Sequence, residues 1–195
     1  MSERRAVDSP MTNWQDLHTH LLETNRVKNR TSDKYSTLSY TLPVPREEIT
    51  RIVSSSITHI GNLSNAIDFL VPEGTDVFAA ADGVVSALKD DSNRSGPDPQ
   101  YWYNGNYVVI RHDGESTAYE HFRYKGIVVK VGDVVQQGQL IGYSGNTGYS
   151  RGPHLHFEVM EFFGAGDEDY VTLKARFTDF PKVYNRIIRS PPKEN

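Results

Sequence analysis

The chain contains no cysteine, which excludes disulfides, thiolate nucleophiles and cysteine-bound zinc, although it does not settle the compartment. It also lacks any apolar run approaching ~18 residues, so no span of a membrane is expected. Concentrated positive charge is missing too. The 21 Lys and Arg are set against 25 Asp and Glu, giving a net charge of −4, and the small basic clusters (Arg26, Lys28, Arg30 and Arg186, Arg189) stand near the two ends. Nucleic acid is therefore not an expected partner, because phosphate binding relies on a concentrated basic surface. The first 30 residues show no continuous apolar core of a secretory signal, which by itself leads to the expectation of a cytoplasmic protein.

What is present suffices for one domain: 195 residues, 37% of them hydrophobic. Residues 1–48 read as a polar extension with an amphipathic helix over 14–27, ended by Pro43-Val44-Pro45. Residues 49–161 are a series of short β-rich runs (66–71, 77–80, 83–88, 106–112, 117–122, 127–131, 139–143 and 154–160) separated by Gly, Asp and Asn, with no helical stretch between them. The expected fold class is all-β: a compact antiparallel sheet domain with a groove. Residues 162–195 form a C-terminal extension with one strand over 170–177. The loop over 90–104 carries Trp102 beside Tyr101 and Tyr103, and with Tyr149 these aromatics are expected to wall a cleft.

The chemistry concentrates in the run from Ser144 to Glu158, where a Gly/Pro-rich turn leads into His154-Leu155-His156-Phe157. Side chains at i and i+2 of a strand share a face, so both imidazoles point together while Leu155, Phe157 and Val159 face the core. A paired-imidazole face suits a metal, proton transfer or both. His18-Thr19-His20 repeats the spelling, but on a helix i and i+2 diverge by about 200°, which rules out chelation. His112, before Asp113-Gly114, marks a hairpin turn.

Two segments are self-similar, Gly74-Thr75-Asp76-Val77 into Gly83-Val84-Val85 and Gly132-Asp133-Val134-Val135 into Gly138-Gln139-Leu140, each reading as a strand, a turn and a returning strand. They resemble half-motifs of biotinyl and lipoyl carriers, but the tip Gln136-Gln137-Gly138 has no lysine to modify. Gly148 followed by His154-Leu155-His156 and Glu161 mimics a cupin motif, yet no histidine follows His156. The G-x-x-x-x-G-K-[ST] lysine of a nucleotide cradle is absent.

Ser144 to Val159, together with Gly74 to Val85, Asn106 to His112 and Val129 to Gly145, resembles the LytM/lysostaphin-type zinc metallopeptidases, peptidase family M23, over roughly residues 58–161. The resemblance implies a zinc-dependent endopeptidase acting on the peptide crosslinks or bridges of bacterial peptidoglycan, with one Zn²⁺ per chain. It implies metal ligands at Asp68 and His156, and catalytic roles for His121 and His154 on the metal-activated water. The third ligand departs from the commonest pattern, since Ser64 stands four residues before Asp68, where the family usually has histidine. His59, nine residues before Asp68, resembles a subgroup with a longer loop and is the favoured ligand. The alternative is a degenerate domain that binds peptidoglycan or regulates another wall hydrolase. Peptidoglycan lies outside the cytoplasm, so the expected substrate requires another export route, release by lysis or a substrate inside the cell.

Overall fold

The computed structural model describes residues 30–56, 58–163 and 169–178. The expected helix over 14–27 and the His18/His20 pair lie outside them. The strands are β1 (Tyr35–Tyr40), β2 (Arg51–Val53), β3 (Ile67–Leu70), β4 (Asp76–Phe78), β5 (Gly83–Lys89), β6 (Ser95–Gly96), β7 (Tyr107–Arg111), β8 (Ser116–Glu120), β9 (Phe122–Ile127), β10 (Val134–Val135), β11 (Leu140–Ser144), β12 (Gly148–Tyr149), β13 (Leu155–Phe162) and β14 (Tyr170–Phe177). Among the described residues only short 3₁₀ turns interrupt them, so the fold is all-β. Among the described residues no helix is long and apolar enough to cross a membrane.

The main sheet runs β1-β14-β13-β8-β7-β5-β10, with β3 also paired to β13 and β2 to β3. Strand β13 is its spine. One edge meets β8, and the other meets β3 first and β14 afterwards. Directly opposed residues share a face, so Asp68 of β3, His156 of β13 and Glu120 of β8 stand in one row across three strands. The opposite face carries Leu155, Phe157 and Val159, all fully buried. Phe157 packs edge-on against Tyr40, Phe69 and Tyr119 at centroid distances of 6.2, 6.3 and 5.3 Å. Truncating such a ring removes apolar burial and leaves a cavity, typically costing about 3–5 kcal/mol.

Several elements differ from the sequence expectations. The self-similar segments do not fold back on themselves: β4 pairs with β11 and β5 with β10, so each half lends its strands to the other. The exchange lets both halves close onto one core instead of leaving two thin hairpins. The expected strand over 127–131 is displaced, because β9 ends at Ile127 and both Val128 and Val131 are exposed. The loop over 90–104 contains a 3₁₀ turn, Pro99–Asn104, whose first N–H groups are capped by Asp98 through Gln100 N at 2.9 Å. Strand β1 was not foreseen. It runs parallel to β14 and is fastened by buried Glu115, which accepts from Tyr40 Oη (2.7 Å), Leu38 N (2.9 Å) and Thr37 N (3.1 Å). Tyr40 reads as polar-segment residue in sequence but is fully buried once that carboxylate satisfies its hydroxyl.

Candidate metal centre and active site

At the end of the spine the regular pairing of β3, β13 and β8 opens into a cleft of about 460 Å³. Its lining includes Asp68, His121, His154 and His156, with Ser55, Ser56 and Thr58 on one side and residues 149–153 on the other. Asp68 Oδ1 lies 2.9 Å from His156 Nδ1 and 3.1 Å from His59 Nε2. The candidate ligand atoms of His59, Asp68 and His156 all lie within 4.8 Å of one another, so one ion can reach all three. His59 arrives on the irregular segment between β2 and β3, and its side chain is fully buried. Ser64 closes the 3₁₀ turn Gly61–Leu63, and it is the earlier histidine, His59, whose Nε2 reaches Asp68.

The other two imidazoles are held by backbone carbonyls. His121 follows directly on β8 with φ of 69°, a left-handed conformation uncommon outside glycine, which re-aims its ring into the cleft. Its Nδ1–H donates to Thr147 O at 2.6 Å, leaving Nε2 free. Thr147 is itself fixed, its Oγ1 donating to Phe122 O (2.7 Å) and accepting from Asn106 N (2.9 Å). His154 Nδ1–H donates to Gly152 O at 2.8 Å, and its Nε2 lies 3.8 Å from Asp68 Oδ1. The His121 and His154 rings are 4.4 Å apart. Gly148 makes the turn possible: its φ is +85°, and a Cβ there would fall 2.7 Å from the Gly105 backbone.

Electrostatically the site separates into two kinds of imidazole. Burial pushes the His121 pKa down to about 3, helped by the neighbouring His154 and His156, and burial likewise lowers that of His154. Both are neutral near pH 7. Burial acts on His156 in the same direction, but its contacts with the Asp68 and Glu158 carboxylates outweigh it and hold its pKa well above the ordinary value. Burial raises the Asp68 pKa, and the hydrogen bonds from His156 and His59 reverse this and hold it well below. A carboxylate thus bridges two histidines at the point where their nitrogens converge.

Residues 62–171 match the sequence model of Peptidase family M23, more than half of the chain. The chain belongs to peptidase family M23. By family it is a peptidase, hence a hydrolase, of the metallopeptidase kind. It is similar to the peptidoglycan DD-endopeptidase ShyA of Vibrio cholerae, 44% identical over 96 residues, covering 49% of this chain and 20% of that protein. It is also similar to the DD-carboxypeptidase/endopeptidase Mpg of Neisseria meningitidis, 39% identical over 104 residues, covering 53% and 21% respectively. The matched segment thus spans about a fifth of each of these relatives. Among solved structures, a zinc containing peptidase from Vibrio cholerae aligns at 31% identity over 70% of this chain and 40% of that one, with a TM-score of 0.48.

In this M23 chain the aromatic wall differs from the sequence expectation. Tyr149 lines the cleft, whereas Trp102 stacks behind it at 6.0 Å and Tyr103 is 62% exposed without lining it. The 3₁₀ turn carries Trp102 past the opening, so it braces Tyr149 from the second row. Sequence reasoning also missed Arg151, which lines the cleft beside Tyr149. It missed Ser150 too, whose Oγ donates to Asn146 Oδ1 at 2.7 Å and braces the turn. The signal available for both was their place inside the Gly-rich run, where each backbone group is oriented by a turn.

Proposed function

We propose that the chain is a zinc-dependent endopeptidase that hydrolyses D,D-peptide crosslinks of bacterial peptidoglycan. The observation that carries this reading is the convergence of His59 Nε2, Asp68 Oδ1 and His156 Nδ1 in a cleft that also holds two neutral histidines. Two imidazole nitrogens and one carboxylate oxygen, open on one side to a cleft, are the donor set of a catalytic zinc site. When bound, zinc supplies a Lewis acid and lowers the pKa of water to about 7.

The protein's own groups supply the rest. His121 and His154 each engage Nδ1–H with a carbonyl and so present an Nε2 lone pair to the cleft. Neutral in the resting protein, they accept a proton from the attacking water and, once charged, return it to the leaving amine. The strained backbone at His121 and the Thr147 anchor keep its ring from turning away. Tyr149 and Arg151 on one side, with Ser55, Ser56 and Thr58 on the other, form a channel suited to an extended stem peptide. The two relatives, a peptidoglycan DD-endopeptidase and a DD-carboxypeptidase/endopeptidase, support the choice of bond.

Digestion of purified peptidoglycan tests the reading. Crosslinked muropeptide dimers should be converted to monomers by the zinc-loaded protein, stop being converted after chelation, and be converted again when zinc is restored. Zinc content near zero after supplementation, with no dimer cleaved, would leave the degenerate wall-binding reading in its place.

A further inference from the structure

Behind His156, on the side away from Asp68, lies a carboxylate that hydrolysis as described does not use. His156 turns Nδ1 toward Asp68 and Nε2 toward Glu158 Oε2, 3.7 Å away. Glu158 sits two residues along β13, so its side chain leaves the same face of the strand as His156. It is 1% exposed. Ala118 stands directly opposite it on β8, a small neighbour in the adjoining strand. Glu158 Oε1 accepts from the Tyr170 hydroxyl at 3.0 Å, while Oε2 is buried with no hydrogen-bond partner. A buried carboxylate oxygen left unpaired is unfavourable, and here the imidazole Nε2 faces it about half an ångström beyond hydrogen-bond range.

We propose that Glu158 is a positioning residue for the metal centre. It accepts the Nε2–H of His156 and thereby fixes the tautomer and ring angle that aim the Nδ1 lone pair at the metal. The inference rests on His156 being a ligand. Metal-ligating imidazoles generally donate their second N–H to a carboxylate, carbonyl or water, and such partners raise ligand basicity. The site then holds histidines of opposite polarity. His121 and His154 engage Nδ1–H with carbonyls and turn Nε2 to the cleft, whereas His156 turns Nε2 to the Glu158 carboxylate and Nδ1 to Asp68, where the metal ligands converge. A tautomer set in this way cannot switch without breaking a buried contact. Glu120, opposite His156 on β8, has an oxygen within 4.8 Å of a ring nitrogen of His156 and a carboxylate oxygen of Glu158 and is the rival acceptor.

The full chain can be tested with E158Q, E120Q and Y170F, reading zinc affinity by chelator competition and imidazole ¹H–¹⁵N correlations with and without zinc. E158Q keeps the shape of the side chain, and should weaken zinc binding about tenfold or more and move the His156 Nε2–H resonance. Y170F removes the hydroxyl that contacts Oε1, and E120Q the charge of the rival, so both should stay near wild type in both readings. The proposal is overturned if E158Q binds zinc as wild type does with Nε2–H unmoved, or if E120Q produces the effect instead. Two zinc ions per chain, falling to one in E158Q, would also overturn it, by making Glu158 a ligand of a second metal. Should wild type take up no zinc, the zinc reading falls by itself and the metal-free spectra still decide the pair. A Nε2–H resonance displaced in E158Q upholds it, and an unmoved one overturns it.

Discussion

The wall of the cleft that carries His121, His154 and His156 is built from paired strands and a glycine turn, whereas the wall that carries His59 is an irregular loop. On the first, His156 is locked by ladders on both sides, and His121 and His154 by carbonyls at 2.6 and 2.8 Å. On the second, the loop is tied down at its far end, where Asn65 N donates to Thr172 Oγ1 (2.9 Å) and Asn65 Nδ2 to Thr172 O (2.7 Å). Among the described residues, His59 is held by its backbone bond to Ser56 O at 3.1 Å, its contact with Asp68 and an edge-on contact with the His156 ring at 5.2 Å. A regular wall places a side chain through neighbours it must have anyway, while a loop places one through a few contacts that can be changed singly.

Removing a ligand from each wall is the largest break. H156A should lose zinc and hydrolysis together, and H59A should weaken zinc binding strongly, while S64A leaves it near wild type. Elemental analysis with chelator competition checks this, and equal affinity in H59A and S64A would remove His59 from the ligand set. Next come the proton-transfer residues of the regular wall. H121A and H154A should keep zinc content near wild type while hydrolysis falls at least about 10²-fold, separating metal retention from turnover on the same preparations.

Backbone substitutions sharpen the contrast at smaller scale. Gly148 and Gly61 both have positive φ, +85° and 54°, one in each wall. G61A should cost about 1–2 kcal/mol in a denaturant titration, the usual penalty for a left-handed alanine. G148A should cost more and also lower activity, because its Cβ would meet the Gly105 backbone and displace the Thr147 carbonyl that holds His121. A loss in G61A equal to that in G148A would mean that the loop wall is as rigid as the sheet wall.

The smallest effect belongs to a histidine of neither wall. His112 lies in the turn between β7 and β8, with Nδ1 2.7 Å from Asp82 O, and burial lowers its pKa below the ordinary 6.5. The unfolded chain therefore binds this proton first as pH falls, so the contribution of neutral His112 is complete above about 6.5 and is lost as pH drops through and below that value. Thermal melts of H112Q between pH 7 and 5 should show a shallower decline than wild type, and an identical slope would show that other groups govern it.

The run of residues from Ser144 to Glu158 was legible in sequence because its chemistry is local: turn glycines, a period-2 strand and two imidazoles on one face need no distant information. The hairpin at His112 was legible for the same reason, as was the strand at Tyr170–Phe177. The exchange of β4 and β5 between the two self-similar halves was not, because either pairing satisfies the same alternation. Strand β1 was hidden as well, since the carboxylate that makes room for Tyr40 lies 75 residues away.

By itself the sequence determined the absence of thiol chemistry, the all-β class and the family to which the His-x-His run points, each being a matter of composition or short-range period. Only the tertiary structure decided that His59 rather than Ser64 meets Asp68, that Trp102 stands behind the cleft wall, and that an unpaired oxygen of Glu158 faces the back of His156. These are distances between residues far apart along the chain, or in an irregular loop, and they are set by which strands pair and where the core closes.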